Sequence, residues 1–300
     1  MFKEKLAIII PTKDRPDDLK NLLESMSMQD VKPVQVIVVD GGARPVRDML
    51  KNFPALRMDY ARVAPPSLTV QRNVGIRHLS DEATLAAFLD DDIVLEGESI
   101  GNMLKFWEGA SSDTGGAGFN ITNMPYKKPS FAEKIFLVNA DRPNRILRSG
   151  FQSRASFHDI TDRADWVPGC AMVWRRGVFD EFIFDERFSG YARYEEVDFS
   201  HRVGSRYKIF VVADARARHM IKLEDVNFSF SLGRMEVANR LYLVRKNRGL
   251  STGLCVWALL GFWLNNIIRG AAKADIRYLR RAKGNARGFV DFLLGRGRVP

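Results

Sequence analysis

Three consecutive carboxylates, Asp90-Asp91-Asp92, close the apolar run Leu85-Ala86-Ala87-Phe88-Leu89. Mutual repulsion makes so dense a cluster costly, so it calls for a compensating cation or a strongly basic partner. At the carboxyl end of a buried strand, that cation is most often a divalent metal carrying a phosphate ligand. Taken alone, the triplet can also be a solvated acidic turn that caps the next helix. A second acidic group, Glu195-Glu196 with Asp198, crowds the first turn of a segment whose Val197 and Val203 offer an apolar helical face. Acids there interact well with a helix dipole, so a well-placed helix start explains them without any chemistry. His219, beside Arg218, is on its own more often a packing or surface histidine than a ligand.

The elements that must position these groups are visible as periodicity. Leu6-Ala7-Ile8-Ile9-Ile10-Pro11 and Gln35-Val36-Ile37-Val38-Val39-Asp40 are continuous apolar runs, the mark of strands buried on both faces. Met58 to Val63 forms a third strand and Leu85 to Leu89 a fourth. Between them lie helices at Pro16 to Met28, Pro45 to Phe53 and Ser67 to Leu79, with Pro16 in a first turn and Ser67 as a cap. This alternation predicts a mainly parallel sheet with helices on both faces. Such sheets bind ligands beyond the carboxyl ends of their strands. Lys13-Asp14-Arg15, Asp40-Gly41-Gly42 and Asp90-Asp91-Asp92 all emerge on that edge. No dinucleotide fingerprint or Walker loop is present. Further on, strands are expected near Gly115 to Phe119, Trp166 to Arg176 and Lys208 to Val212, with one amphipathic helix near Phe131 to Val138.

The chain has 300 residues, 46% of them hydrophobic and 27% charged, which is a globular composition with room for one large α/β domain and an appendage. Cys170 and Cys255 are far apart in apolar surroundings, so no disulfide framework or cysteine metal site is expected and a reducing compartment fits. The first residues lack the long apolar core of a signal peptide, and the expected location is cytoplasmic. The net charge of +10 sits in the tail: from Arg240 onward there are thirteen Lys or Arg against Asp275 and Asp291. The body is close to neutral, so the basicity argues for a tail docked on an anionic surface and against a nucleic-acid-binding core.

In order along the chain, Ile9-Ile10-Pro11-Thr12, Val38-Val39-Asp40-Gly41, Arg72-Asn73-Val74-Gly75, Phe88-Leu89-Asp90-Asp91-Asp92, Gly169-Cys170-Ala171-Met172-Val173-Trp174-Arg175-Arg176, Glu195-Glu196-Val197-Asp198-Phe199 with Arg202, and His219 resemble glycosyltransferase family 2. This group comprises inverting nucleotide-sugar transferases of the GT-A fold, and the rhamnosyltransferase-like branch looks nearest. The resemblance covers about residues 5 to 245. It implies an α/β, Rossmann-like GT-A domain over 1–245, followed by a basic, hydrophobic helical tail over 246–300.

The resemblance implies roles as well. Asp92 and His219 would hold Mn²⁺ or Mg²⁺, which neutralises the leaving nucleotide diphosphate as a Lewis acid, and hard oxygen ligands with an imidazole suit Mn²⁺. Asp90 would face the donor ribose, with Asp91 beside it in the donor site. Pro11, Thr12 and Asp40 would contact the nucleoside, and Arg72 either the diphosphate or only solvent. The base that deprotonates the acceptor hydroxyl would be Glu196, where the family usually has Asp, with Glu195 as the alternative. Asp198 and Arg202 would be structural. Trp166, Gly169 and Trp174 would shape the acceptor site, though tryptophan also serves as plain core. The family commonly has Asp-Asp-Gly-Ser after its second strand, whereas this chain has Asp40-Gly41-Gly42-Ala43, which leaves base selectivity open.

Leu250 to Ile268 holds no charge and is just long enough to cross a bilayer. Basic residues flank it on both sides, and the helical stretch beyond mixes apolar residues with arginine, which suits helices lying in a membrane interface. The expected arrangement is an enzyme peripheral at the inner face of the cell membrane, in preference to a span. A hydrophobic helix buried in an oligomer interface is the third possibility. The function implied is metal-dependent transfer of a sugar from a nucleotide-diphosphate donor to a hydroxyl of a glycan or lipid-linked acceptor, in surface polysaccharide synthesis. The rivals are a sugar-phosphate nucleotidyltransferase, for which Pro11-Thr12-Lys13-Asp14-Arg15 offers no glycine-rich loop, and a non-catalytic nucleotide-sugar-binding or membrane scaffold protein.

Overall fold

A computed structural model describes residues 2–221 and 225–295. The chain runs β1 (Leu6–Thr12), α1 (Pro16–Ser27), β2 (Gln35–Asp40), α2 (Arg47–Leu50), β3 (Met58–Arg62), α3 (Leu68–Arg77), β4 (Leu85–Leu89), β5 (Ile93–Leu95), α4 (Ser99–Gly109), β6 (Thr114–Ile121) and α5 (Phe131–Ile135). It continues through β7 (Asp162–Ala164), β8 (Ala171–Arg175), α6 (Glu195–Gly204), β9 (Lys208–His219), α7 (Ser229–Lys246), α8 (Thr252–Lys273) and α9 (Ile276–Leu293). The helix expected over Pro45 to Phe53 is only the single turn of α2. Ser67 occupies the cap position of α3, but its side chain makes no capping bond.

Chain contacts divide the molecule into two compact units. The first holds Met1–Tyr126 and Ala155–Ile221, the second Lys127–Arg154 and Lys222–Pro300. The boundary expected at residue 245 lies at the end of α7, which instead belongs wholly to the second unit, together with α5.

The first unit is built on one sheet in the order β3-β2-β1-β4-β8-β6-β9-β5, with β7 beside β9. β1, β2, β3 and β4 run parallel, as the alternating strands and helices require. Beyond β4 the sheet is mixed: β8 lies antiparallel between β4 and β6, and β6 pairs parallel with β9. β8 follows a long excursion from β6 that includes the short helix α5 and the strand β7. Successive residues of the central strands point to opposite faces. Ile8, Ile10, Val36 and Val38 pack with Leu19, Leu22, Leu23, Met103 and Trp107 on one side. Ile9, Ile37, Val39 and Phe88 pack with Trp174, Phe184 and Phe199 on the other.

The pairing that matters most for chemistry is at the far edge. β5 starts directly after the Asp triplet and pairs antiparallel with the end of β9, which puts Ile93 opposite His219. The amide of Met220 donates to the Asp92 carbonyl at 2.8 Å. β9 reaches this position through a register shift between Phe119 and Asn120 of β6. Asn120 fills the irregularity by donating from Nδ2 to the carbonyls of Ala213 and His158, both at 2.8 Å.

In the second unit, α9 packs along α7, and Arg234 of α7 pairs with Asp291 at 2.6 Å. Asn285 donates to the Gly233 carbonyl at 2.8 Å and accepts from Asn266 of α8 at 3.0 Å. This chain of buried amides ties the three helices together with its polar atoms satisfied.

Two consequences are measurable. Gly75 lies so close to β1 that a Cβ there would stand 2.3 Å from Ile9 Cγ2. Gly75→Ala should therefore lower stability by about 1–3 kcal/mol through overpacking, read as a reduced urea midpoint. Burial pushes the Cys255 thiol up to about 12 and Cys170 well above its ordinary value. A thiol reagent at pH 8 should leave both unmodified in the folded protein and titrate two thiols in denaturant.

Candidate active site

The carboxylates of the β4–β5 turn are held individually. Asp91 is buried, and its Oδ2 accepts from Thr12 Oγ1 at 2.7 Å, joining the ends of β1 and β4. Arg15, just before α1, bridges Asp91 Oδ1 at 3.3 Å and Asp92 Oδ2 at 3.1 Å. Burial pushes Asp91 up to about 6, against the pull of Thr12 and Arg15. Burial also opposes the charge on Asp92, but His219 and Arg15 hold it below the ordinary carboxylate range. His219, itself partly buried, is held above its usual value by the Asp92 carboxylate.

Arg72 is the centre of the other half. It projects from α3 and is buried, 1% exposed. Its Nη1 donates to Glu195 Oε1 at 2.6 Å, and its Nη2 to the Gly169 carbonyl at 2.9 Å and to Asp90 Oδ1 at 3.4 Å. Its guanidinium lies 5.3 Å from the Phe184 ring centroid. Burial disfavours this charge, yet Glu195, Asp90 and Glu196 keep the Arg72 pKa above the ordinary value. Gly169 permits the approach, because a Cβ there would stand 3.2 Å from both Arg72 Nη2 and Glu195 Oε1. The next residue of the motif, Asn73, secures the segment leading to α6. It donates to the Phe184 carbonyl at 2.9 Å and accepts from the Phe184 amide at 3.0 Å.

At the start of α6, the two glutamates differ. Glu195 is buried and bound to Arg72, whereas Glu196 remains partly exposed. Burial and the Glu196 carboxylate push Glu195 up, against the pull of Arg72. Asp198 pairs with Arg202 at 2.9 Å, and Arg202 also donates to the Ile183 carbonyl, so both act within the scaffold.

The structure thus brings Thr12, Arg72, Asp90, Asp91, Asp92, Gly169, Glu195 and His219 into one contact network, with Glu196 adjoining it. Pro11 lies beside this network in β1. Asp40 is fully buried and already occupied. Its Oδ1 accepts from the Gly42 amide at 2.7 Å, and its Oδ2 from Tyr60 at 2.7 Å and the Val46 amide at 3.1 Å. It braces the loop after β2 and has little left to offer a ribose. Trp174 packs edge-on against Phe199 inside the core, and Trp166 is also buried. These indoles are not brought to a surface where a sugar could stack. The sequence places Lys13-Asp14-Arg15 on the ligand-binding edge, but nothing in it singles out Arg15 as the partner of Asp91 and Asp92.

Two ligand atoms fit a divalent cation. Asp92 Oδ1 and His219 Nε2 face each other at 3.1 Å, and the buried Asp92 Oδ1 has no hydrogen-bond partner among the described residues. Cis ligands of an octahedral ion at about 2.1 Å are separated by about 3 Å. Among the described residues no group of three or more His, Cys, Asp or Glu side chains forms a metal cage. Asp92 and His219 therefore suit an ion whose other ligands come from substrate and water.

Comparison with known proteins decides the family. The glycosyl transferase family 2 model matches residues 7–181, more than half of the chain. This chain belongs to glycosyl transferase family 2. It is similar to the O-antigen chain rhamnosyltransferase RfbN of Salmonella typhimurium, 22% identical over 224 residues, covering 72% of this chain and 66% of that protein, just under two thirds of its length. It is also similar to the uncharacterized glycosyltransferase YwdF of Bacillus subtilis, 26% identical over 76% of this chain and 79% of that one. Among solved structures, TarS 1–349 of S. aureus covers 98% of this chain and 82% of its own at TM-score 0.58 and 14% identity. The mannosyltransferase PcManGT of Pyrobaculum calidifontis, in complex with GDP-Man and Mn²⁺, covers 97% and 88% at TM-score 0.59 and 12% identity. The fold of this glycosyltransferase is the GT-A fold, a mixed sheet flanked by helices with a helical C-terminal extension.

The Arg72–Glu195 pair has a testable energy. Arg72→Met should strand a buried carboxylate and cost about 3–5 kcal/mol. Arg72→Met combined with Glu195→Met should recover part of that loss in a double-mutant cycle by urea unfolding. Simple additivity would show the pair to be uncoupled.

Proposed function

We propose that this glycosyltransferase is an inverting, cation-dependent enzyme that moves a sugar from a nucleotide-diphosphate donor to a hydroxyl of a glycan or lipid-linked acceptor. The observation that carries this reading is the single network joining the Asp90–Asp92 turn and His219 to Glu195, through buried Arg72. Asp92 and His219 would hold Mn²⁺ or Mg²⁺, and when bound the ion supplies charge neutralisation for the departing diphosphate. Asp90 has 31% of its side chain exposed and faces the donor ribose. Asp91, tied to Thr12 and Arg15, keeps the turn in shape beside the donor.

Glu195 is spent on Arg72, which leaves Glu196 as the base. Glu196 takes the proton of the acceptor hydroxyl as that oxygen bonds to the anomeric carbon, and the bond to the diphosphate breaks on the opposite face. The anomeric configuration inverts in this single displacement, through an oxocarbenium-like transition state. Gly169 and the surrounding loop hold Glu195 and Arg72 in place beneath the acceptor. RfbN, by name an O-antigen chain rhamnosyltransferase, favours a surface polysaccharide as the pathway. PcManGT in complex with GDP-Man and Mn²⁺, and TarS 1–349 in complex with UDP, favour a nucleotide sugar as donor. A lipid-linked acceptor would be met at the cytoplasmic face of an anionic membrane, to which the basic tail would bind.

Glu196→Gln should lower kcat by about 10²–10⁴-fold while donor-induced thermal stabilisation persists. Asp92→Ala should abolish the part of that stabilisation that depends on Mn²⁺. Undiminished turnover in Glu196→Gln would move the base to another residue. Retention of configuration in the product, read by NMR of the anomeric proton, would reject the inverting mechanism.

A further inference from the structure

We propose that the second unit docks on an anionic lipid bilayer through one apolar face built jointly by α5 and α8, with α8 lying in the membrane plane and not crossing it. This deepens the membrane part of the function proposed above, and it does not depend on the transfer chemistry. α8 contains 22 residues and is long and apolar enough to cross a membrane by length and composition. Its packing argues against that course. Trp257, Leu260, Leu264, Ile267 and Ile268 are exposed, at spacings of three and four residues, so they share one side of the helix. Cys255, Ala258, Leu259, Gly261, Asn266 and Gly270 are buried on the other.

That buried side is held by a charged neighbour. After a two-residue turn, α9 folds back along α8. Trp263 Nε1 donates to the Ala282 carbonyl at 3.1 Å, and Asn266 to Asn285 at 3.0 Å. α9 carries Arg277, Arg280, Arg281, Lys283 and Arg287. A membrane-crossing α8 would draw this antiparallel partner into the hydrocarbon, where such charges are expensive. Lying flat, α8 can bury its stripe while α9 keeps its charges in the interface.

The stripe continues beyond the tail. Trp257 Nε1 donates to the Ile135 carbonyl at 2.9 Å, and the Phe136 ring stacks on Trp257 with centroids 4.8 Å apart. Ile135 is exposed, and Phe131, one turn earlier on α5, is 79% exposed. The capping box of Ser130 and Glu133 fixes this short helix in place. The segment 127–154 therefore adds apolar residues to the same face, and it adds charge. The two segments of the second unit contain 22 Lys or Arg against 7 Asp or Glu, a net +15, which leaves the first unit at −5. A second copy of so basic a unit would be repelled, whereas an anionic bilayer is attracted.

The test uses the full chain with phosphatidylcholine vesicles, with and without one third phosphatidylglycerol. Co-sedimentation with the anionic vesicles only, weakened by salt, is expected. Leu260→Glu combined with Leu264→Glu should cut partitioning at least tenfold while leaving donor-induced thermal stabilisation unchanged. A nitroxide at Leu264→Cys and another at Ile268→Cys should report the same shallow depth. Loss of vesicle binding from the outset, binding untouched by the paired glutamates, or position 264 at the bilayer centre would each overturn the proposal. So would conversion of a stable dimer to monomer by the same substitutions. Intact vesicle binding by a chain without transferase turnover would reject only the transfer reading.

Discussion

Five carboxylates crowd the carboxyl edge of the sheet: Asp90, Asp91, Asp92, Glu195 and Glu196. Their repulsion is the constraint to which the surrounding structure answers. The two arginines each straddle two acids, Arg15 between Asp91 and Asp92 and Arg72 between Asp90 and Glu195. His219 faces the remaining oxygen of Asp92. Removing either arginine therefore releases two charges at once, which ties stability to the same contacts that shape the site. The division of labour follows from burial. Glu195 is buried against Arg72, while Glu196 beside it is partly exposed.

Much of this was legible in the sequence, for definite reasons. Strands buried on both faces write themselves as unbroken apolar runs, so β1, β2 and β4 and the ends where Thr12, Asp40 and the Asp triplet sit could be located. The acidic start of α6 was visible because helix dipoles and glutamates coincide there. The β5–β9 pairing was not visible. β5 has only three residues, and β9 reaches it through an irregularity that no local pattern announces. The closeness of His219 to Asp92 is implied by the family resemblance alone, since nothing near either residue in the chain points to the other. Asp40 and Trp174 are engaged inside the fold. Their types suggest ligand contact, but hydrogen bonding in one case and core packing in the other consume what they offer. α7 carries no one-sided pattern, because buried residues occur all around it. Its membership of the second unit was therefore hidden.

The two units differ in electrical character as well as in fold. The net charge of the whole chain conceals an acidic catalytic unit and a strongly basic helical one. The acidic unit carries the carboxylate cluster together with Arg15 and Arg72, which compensate it. The basic helices leave a stripe of apolar residues unburied along α8 and α5.

The second unit is assembled from two stretches separated in sequence, and the excursion 127–154 leaves and re-enters the first unit between β6 and β7. No single cut in the chain can separate catalysis from the helical unit. Truncation at residue 221 or 246 would orphan α5 and Phe136, whose ring rests on Trp257. A transplant of the helical unit onto another GT-A body would have to move a loop and a terminus together. Insertion and tail pack as one unit, joined where Phe136 and Ile135 meet Trp257.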